Sequence, residues 1–380
     1  MRDIFVCPRC GNKDPRYIGI RNGQYYCRRC LPFQGQDAKK DFKVKPNLSL
    51  TLDYPLSPKQ KRISDEVVSC LKEKKNVLIH AVTGAGKTEL VYQAMEMYLK
   101  LGLHVGFATP RKDVVIDLKP RIEEAFKDAR VVAVYGEHTK RLNGDIIVLT
   151  THQLYRYNHY FDLLILDEID AFPYKGDDLL HTFFYQAVKG NYVLLSATPS
   201  KEDLDKMKKE GRVLQLFERY HKGKLIVPQI ILAPEYFLQA RCLTELKRFL
   251  KMEKPVFIFV PTIEEGEKLF NLLNLFVSGG SLVSSKADNR RIDIQRFKNH
   301  DLRYLVTTSI LERGVTVKDL QVIIYEADSY IFDQASLVQI AGRVGRKIGA
   351  TGGEVLFLAS DTSAAMLEAI DEIKKYNERR

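Results

Sequence analysis

Residues 76–88 read Asn-Val-Leu-Ile-His-Ala-Val-Thr-Gly-Ala-Gly-Lys-Thr, and this stretch decides the fold. Its first five residues predict a short apolar strand, and apolar pairs at helical spacing over residues 90–99 predict a helix with one buried face. Glycines between a strand and a helix allow backbone N–H groups to close around phosphate oxygens. The Walker pattern has glycine where this chain has Ala81, so a chance glycine turn is the alternative to a phosphate loop.

The residues of this loop have predicted roles in holding ATP and Mg²⁺. Lys87 is expected to reach the β- and γ-phosphates, and the Thr88 hydroxyl is expected to bind the metal. The predicted nucleotide-binding residues of the loop are Thr83, Gly84, Ala85, Gly86, Lys87 and Thr88.

A second apolar strand, residues 161–166, runs into the acidic sequence Asp167-Glu168-Ile169-Asp170. Carboxylates at the carboxyl end of a parallel strand lie where α/β sheets hold their ligands. Asp167 is predicted to hold Mg²⁺, usually through water, and Glu168 to orient the attacking water. The acidic pair follows Lys87 by 80 residues, which favours one α/β domain that carries both.

Four of the six cysteines form two Cys-x2-Cys turns, Cys7/Cys10 and Cys27/Cys30, with sixteen residues between the turns. This spacing predicts a zinc ribbon in which four thiolates hold one Zn²⁺. Disulfides are the alternative, and they fit badly with an intracellular enzyme. A closed site of this kind supplies folding energy to its own module, so loss of a ligand is expected to unfold the module and spare the rest.

Positive charge is concentrated in the same region. Residues 1–49 hold eleven Lys/Arg against four Asp, a formal charge of +7 within a chain total of +11. Four thiolates with Zn²⁺ would lower the net charge of the module to about +5. Interleaved Tyr and Phe residues suit phosphates and stacked bases, although a merely solvated surface explains the composition equally well.

The remaining composition describes a globular protein of 380 residues, long enough for two or three domains. No apolar run approaches the roughly 20 residues of a membrane span, and the first residues do not resemble a secretory signal. We therefore expect a cytoplasmic protein. From residue 225 a second alternation of strands and helices begins, with strands predicted at 225–227, 255–260, 303–307 and 322–325. Residues 200–224 read as a polar hinge.

The ordered motifs resemble those of superfamily 2 helicases over about residues 55–350. Motifs I, Ia, Ib, II, III, IV, V and VI fall at residues 81–88, 108–111, 150–154, 167–170, 196–198, 257–262, 307–316 and 339–346. The resemblance implies two tandem RecA-like parallel-sheet domains that trap ATP between them, with a small N-terminal four-cysteine zinc-ribbon module. The expected boundaries are 1–49 for the module, 50–210 for the first RecA-like domain and 211–380 for the second.

The same resemblance implies further site residues. Gln60 is expected to read adenine, and Gln339 to contact the nucleotide. Arg343 and Arg346, spaced to share a helix face with Gln339, are expected to reach the γ-phosphate as arginine fingers. With Lys87, Asp167 and Glu168 they complete the predicted catalytic set. Nucleic-acid phosphates would be held without regard to sequence by Thr109, Arg111, Thr151 and Thr308.

The cysteine module, the acidic box and the motif V sequence Thr-Thr-Ser-Ile-Leu-Glu-Arg-Gly-Val-Thr (307–316) together resemble the ComFA family of late competence ATPases. PriA-like motors are the next nearest in motif style. The resemblance implies an ATP-dependent single-stranded DNA translocase that imports transforming DNA. Its implied partners are single-stranded DNA, other competence proteins and a membrane DNA channel, which leaves open a peripheral position at the inner face of the membrane.

Two departures from the DEAD-box pattern affect this interpretation. Thr316 stands where many DEAD-box proteins have Asp, and Ile169 replaces Ala in the acidic box. Because of Thr316, the coupling role of the Asp side chain cannot be carried over, and Ile169 makes an RNA-unwinding DEAD-box assignment less favoured. An RNA helicase or remodeller of the same superfamily and an ATP-switched nucleic-acid clamp stay open as alternatives. Oligomerisation is also open.

Overall fold

The computed structural model describes residues 5–52, 54–284, 289–308, 317–345, 349 and 352–379. The chain forms two compact units. The first comprises Met1–His80 and Lys87–Gln215, and the second comprises Ala81–Gly86 and Leu216–Arg380. The cysteine-bearing residues therefore belong to the first unit, and the loop Ala81–Gly86 is grouped with the second.

The cysteine-bearing segment contains one antiparallel hairpin. It is built from β1 (Ile18–Arg21) and β2 (Gln24–Cys27), in which Ile18 pairs with Cys27. Short 3-10 helices flank the hairpin at Pro15–Tyr17 and Arg28–Cys30.

A seven-stranded sheet forms the core of the first unit, in the order β5-β6-β4-β7-β8-β3-β9. Its strands are β3 (Asn76–Ala81), β4 (Val105–Thr109), β5 (Val131–Val134), β6 (Ile146–Thr150), β7 (Phe161–Asp167), β8 (Val188–Ser196) and β9 (Gly211–Leu216). Its helices are α1 (Pro58–Lys72), α2 (Lys87–Leu90), α3 (Tyr92–Lys100), α4 (Lys112–Ala125), α5 (Asp178–Ala187) and α6 (Lys201–Glu210), with a 3-10 helix at Thr151–Arg156. The pairs β3–β8, β8–β7, β7–β4, β4–β6 and β6–β5 are parallel. Their near-continuous apolar runs are buried, as strands covered on both faces require.

The second unit repeats this architecture with a six-stranded sheet, in the order β10-β15-β14-β11-β13-β12. Its strands are β10 (Gln229–Leu232), β11 (Val256–Phe259), β12 (Gly280–Val283), β13 (Tyr304–Thr307), β14 (Gln321–Tyr325) and β15 (Val355–Ala359). Its helices are α7 (Glu235–Lys251), α8 (Ile263–Phe276), α9 (Arg290–Lys298), α10 (Gln334–Ala341) and α11 (Ala364–Glu378). All its strand pairs recorded among the described residues are parallel. The predicted fold class is confirmed, since the chain has two parallel-sheet units and a four-cysteine cluster near its N-terminal end.

Three local predictions differ from the structure. The hinge assigned to residues 200–224 is too wide, because α6 and β9 occupy residues 201–216, although the division between the two units at Gln215/Leu216 falls within the predicted range. The sequence of α6 resembles a polar linker because Met207 is the one buried residue of this helix. The strand predicted at 225–227 is wrong, and the first strand of that unit is β10 instead. The helix expected after the phosphate loop is divided into α2 and α3 at Val91, although its predicted apolar face is buried.

Within the part of the chain that the structure describes, no helix is both long and apolar enough to cross a membrane.

Candidate active site and metal centre

The predicted phosphate loop has the backbone that its sequence requires. Gly84 and Gly86 have φ angles of +84° and +77°, in the left-handed region where a side chain would be strained. Lys87 and Thr88 then begin α2, with Lys87 half-buried and Thr88 buried. The loop follows β3, as the sequence predicted, and its glycines leave the backbone accessible to phosphate oxygens.

The acidic pair lies at the carboxyl end of β7. Strand β8 separates β7 from β3, so Asp167 and the residues that follow β3 lie at the same edge of the sheet, about 10 Å apart by strand spacing. The hydroxyl of Thr88 and the carboxylate of Asp167 are oxygen ligands of the type that Mg²⁺ prefers. The donor set therefore fits the magnesium site that the sequence predicts.

Glu168 has a left-handed backbone, with φ at +63°. For a residue with a side chain this conformation costs on the order of 1–3 kcal/mol and is concentrated at functional sites. Its N–H donates to Asp167 Oδ1 at 2.9 Å and to the Leu195 carbonyl at 3.0 Å, which offsets part of that cost. The backbone between the two acidic residues is thus fixed by β7 and by the neighbouring strand β8.

The fourth residue of the acidic box has a role that the sequence analysis did not assign. Asp170 accepts hydrogen bonds from the Ser196 hydroxyl at 2.9 Å and from the Thr198 hydroxyl at 2.7 Å. These bonds connect the loop after β7 to the loop after β8, where motif III lies. The Ser196-Ala197-Thr198 sequence was the available signal, because short hydroxyl side chains beside a carboxylate form such links readily.

The arginine of motif VI lies just beyond a helix. Helix α10 ends at Ala341, and the next residues form a turn in which the N–H of Arg343 donates to the Ile340 carbonyl at 3.0 Å. The expectation that Gln339 and Arg343 share one face of a continuous helix is therefore wrong, because glycine at position 342 ends the helix first. Both side chains are buried, at 5% and 2% exposure. Arg346 lies outside the described residues.

Gln60 forms a capping box at the start of α1. Its side-chain oxygen accepts from the Ser57 N–H at 2.9 Å, and its own N–H donates to the Ser57 hydroxyl. The side chain is buried, so its orientation is fixed by the helix N-terminus. Adenine recognition by Gln60 stays a prediction.

The four predicted nucleic-acid residues are mostly inside the protein. Thr109 and Thr151 are fully buried at the ends of β4 and β6, and Thr308 is 8% exposed. Among the described residues, the hydroxyls of these three threonines have no hydrogen-bond partner. Arg111, which precedes α4, is half-buried. A nucleic-acid strand on the protein surface would reach the threonines through their backbone N–H groups more easily than through their side chains. Phosphate binding by all four residues stays a prediction.

The four predicted ligand cysteines converge on one point. Their sulfur atoms all lie within 4.8 Å of one another, and the Cys7–Cys30 and Cys10–Cys27 Sγ distances are both 3.7 Å. Disulfide sulfurs lie about 2 Å apart, so these thiols are free. Sulfurs at the corners of a tetrahedron around Zn²⁺, each about 2.3 Å from the ion, lie roughly 3.8 Å apart. The cluster is compatible with Zn²⁺.

The cysteine cluster packs against the sheet layer of the unit to which it belongs. Cys7, Cys27 and Cys30 share a hydrophobic cluster with buried aromatic residues of the sheet layer, including Tyr155 and Phe183. This packing argues against independent unfolding of the module, and the expectation that loss of a ligand spares the rest of the chain stays a prediction.

Phe33 makes the central contact of this packing. Its ring meets Phe183 of α5 edge-on at 4.9 Å and Tyr155 of the Thr151–Arg156 helix at 5.6 Å, and it stacks on His152 at 6.2 Å. Burial lowers the pKa of His152, which favours the neutral ring at this contact.

Backbone hydrogen bonds extend the attachment beyond Phe33. The Tyr155 hydroxyl donates to the Gln34 carbonyl at 2.9 Å, and the Ala38 N–H donates to the Arg156 carbonyl at 2.9 Å. The residues contacted lie at the end of the Thr151–Arg156 helix, directly after motif Ib. Sequence analysis missed this link because nothing in the spacing of the cysteines indicates which surface their module will contact.

Comparison with known protein families gives the class. The family of the type III restriction enzyme res subunit matches residues 53–201, and the helicase conserved C-terminal domain matches residues 240–348. A solved structure of S. cerevisiae Dbp5, bound to RNA and ADP BeF3, superposes on this chain with a TM-score of 0.66 and is 17% identical in sequence. The superposition covers 84% of this chain and 87% of the Dbp5 chain. The two units are RecA-like, and the matched helicase families indicate a superfamily 2 helicase.

Two relatives define the group more narrowly. Competence protein ComFA of Bacillus subtilis is 34% identical over 98% of this chain and 86% of its own length. Competence protein ComFA of Streptococcus pneumoniae is 34% identical over 98% of this chain and 90% of its own length. The chain belongs to the ComFA family of competence proteins, as the motif order and the four cysteines predicted.

Proposed function

We propose that this chain is an ATP-driven translocase that moves along single-stranded DNA and acts in the import of transforming DNA. One observation supports the proposal most strongly. This chain belongs to a competence-protein family, and helicase family models match both of its halves. The family supplies the cellular process, and the helicase units supply the motor.

In the proposed ATPase step, water attacks the γ-phosphorus and the bond to the β–γ bridging oxygen breaks, which releases ADP and phosphate. Lys87 binds the β- and γ-phosphates, and Glu168 orients the attacking water and accepts its proton. Mg²⁺, held by Thr88 and Asp167, would supply positive charge that stabilises the transferred phosphoryl group. Arg343 adds charge at the γ-phosphate in the same proposal.

The cysteine module is proposed as a second grip on the strand, with one Zn²⁺ held by its four thiolates. Its hairpin exposes Ile20 (64%) and Tyr25 (56%), and the neighbouring side chains of Arg21 and Arg28 are exposed as well. Arg29 lies over the ring of Tyr17 at 5.4 Å. Cations beside exposed rings favour binding of a phosphate backbone with stacked bases, independent of sequence.

Other competence proteins and a membrane DNA channel are the proposed partners, since import needs a route through the membrane. This function places the protein in the cytoplasm, at the inner face of the membrane while it works.

ATP turnover measured side by side with single-stranded DNA, duplex DNA and RNA tests the proposal. We expect the largest stimulation with single-stranded DNA, and we expect it to weaken as salt rises because counterions are released on binding. Stronger stimulation by RNA would favour an RNA helicase or remodeller instead.

Displacement of a protein block from one end of labelled single-stranded DNA, compared with the other end, tests directional movement. We expect ATP-dependent displacement from one end only, with Glu168→Gln as the inactive control. Equal, ATP-independent loss from both ends would indicate a clamp rather than a translocase.

A further inference from the structure

Arg219 is a buried cation shortly after β9. Its exposure is 1%, and it is among the largest fully buried side chains of the described residues. Burial of a guanidinium group costs several kcal/mol unless its N–H groups find acceptors. The position of Arg219 is therefore determined by the groups that its N–H donors meet.

Those donors meet four backbone carbonyls of the second unit. Nη1 donates to the carbonyls of Val344 and Gly345, both at 2.9 Å, and Nη2 donates to the carbonyl of Gly342 at 2.9 Å. Nε donates to the carbonyl of Thr83 at 3.2 Å. The planar guanidinium group of Arg219 thus joins the turn after α10 to residues 81–86 of the phosphate loop, and both segments belong to the second unit.

The turn after α10 presents backbone carbonyls to Arg219. The carbonyls of Gly342, Val344 and Gly345 lie beyond the end of the helix at Ala341, and their hydrogen bonds with the guanidinium offset the cost of burying it. The turn also approaches the phosphate loop closely, because a Cβ on Gly342 would lie 2.0 Å from the Thr83 hydroxyl. The hydrogen bonds of Arg219 hold this close approach in place.

The segment that carries Arg219 also runs along the phosphate loop itself. The N–H of Val82 donates to the Leu216 carbonyl at 3.2 Å, and the N–H of Tyr220 donates to the Gly84 carbonyl at 3.3 Å. The loop is therefore bonded on either side of Thr83, and the segment fixes loop and turn together.

We propose that Arg219 is a positioning residue for ATP hydrolysis, which sets the turn carrying Arg343 against the phosphate loop. The inference rests on the proposed ATPase function. Arg343 lies between two residues whose carbonyls Arg219 holds, so the backbone of Arg343 cannot shift without breaking those bonds. Arg219 itself does not touch the reacting atoms in this account. Its loss should misplace Arg343 while leaving Lys87 free to bind ATP.

Arg219→Gln tests the proposal through a separation of turnover from binding. A misplacement of about 1 Å in a catalytic group can lower turnover by about 10²-fold. We expect kcat for ATP, with saturating single-stranded DNA, to fall by about that factor. We expect the Kd for a fluorescent ATP analogue with Mg²⁺ to stay within about threefold of wild type, since the phosphate-binding lysine is untouched.

Arg219→Lys should recover only part of the turnover. A lysine presents three donors on one nitrogen and cannot reproduce a planar fork that reaches four carbonyls. The matched control is Arg248→Gln in the same unit. Arg248 is 39% exposed and donates hydrogen bonds to Glu245 on α7 and to Glu354 next to β15, so its loss should leave kcat unchanged.

Thermal unfolding of each variant shows whether it is folded. If Arg219→Gln fails to fold, the Arg219→Lys variant carries the test by the same two measurements. A folded Arg219 variant with wild-type kcat, or one that loses ATP binding in proportion to turnover, overturns the inference. A wild-type protein without ATPase activity under any nucleic-acid condition overturns the proposed function as well, so the two failures are distinguishable.

Discussion

The phosphate loop and the four-cysteine cluster are both short motifs with fixed spacing, yet they are held in place differently. The phosphate loop follows a buried parallel strand, and Asp167 ends another strand of the same sheet, so hydrogen-bonded ladders set the positions of both. The cysteines lie in short turns around one small hairpin and depend on ligand geometry and on packing against aromatic residues elsewhere in the first unit. In both cases the spacing of the motif predicts which ligand its residues can bind. The spacing predicts where the motif lies in the fold only when the motif directly follows a strand of a sheet.

The largest expected effect is at the proposed ATP site, whose residues follow strands of the seven-stranded sheet. Glu168→Gln should lower ATP turnover by about 10²- to 10⁴-fold, the usual contribution of a general base, while ATP binding is kept. Lys87→Ala should lose both binding and turnover, because it removes charge that faces the phosphates. Steady-state hydrolysis and binding of a fluorescent ATP analogue measure these effects.

Metal content by elemental analysis is the control for both variants. We expect it to equal that of wild type, since neither residue is one of the four cysteines that form the cluster. Hydrolysis by Glu168→Gln at the wild-type rate would contradict the assigned role of the carboxylate.

The second prediction concerns the cysteine cluster. Cys27→Ser should lower the zinc content and, because the cysteines share a hydrophobic cluster with the first unit, should also lower its unfolding temperature by roughly 5–10 °C. Elemental analysis after anaerobic purification and thermal unfolding measure the two effects. Cys70→Ser, at a half-buried thiol of α1 outside the cluster, is the matched control. Loss of metal with an unchanged unfolding temperature would show that the module is independent after all.

The smallest effect is expected from the aromatic contact alone. Phe33→Ala should keep the metal but cost about 2 kcal/mol of stability, less than a fully buried phenylalanine because Phe33 is only half-buried. Stimulation of ATP turnover by single-stranded DNA should fall more than basal turnover, since Phe33 packs on the helix assigned to motif Ib. The exposed Tyr25→Ala in the hairpin is the control for stability. Equal stability of the two variants would argue that Phe33 does not attach the module.

Much of the site could be predicted from the sequence because its parts are local. The glycines of residues 83–88 permit the left-handed backbone that a tight phosphate loop uses, and the structure has it at Gly84. The cysteine spacing likewise requires only two tight turns and a short hairpin. Alternating apolar strands and helices indicated two parallel sheets, although the polar helix α6 was mistaken for a hinge because just one of its side chains is buried.

Tertiary structure alone decided the long-range contacts. The hydrogen bonds that Ser196 and Thr198 donate to Asp170 depend on β7 and β8 being neighbours. The carbonyls that surround Arg219 come from residues more than 120 positions away along the chain. Backbone carbonyls carry no residue identity, so no motif marks them. The sequence by itself therefore determined which chemical groups this protein carries and their local turns, whereas the packing of distant segments determined which of those groups hold one another in place.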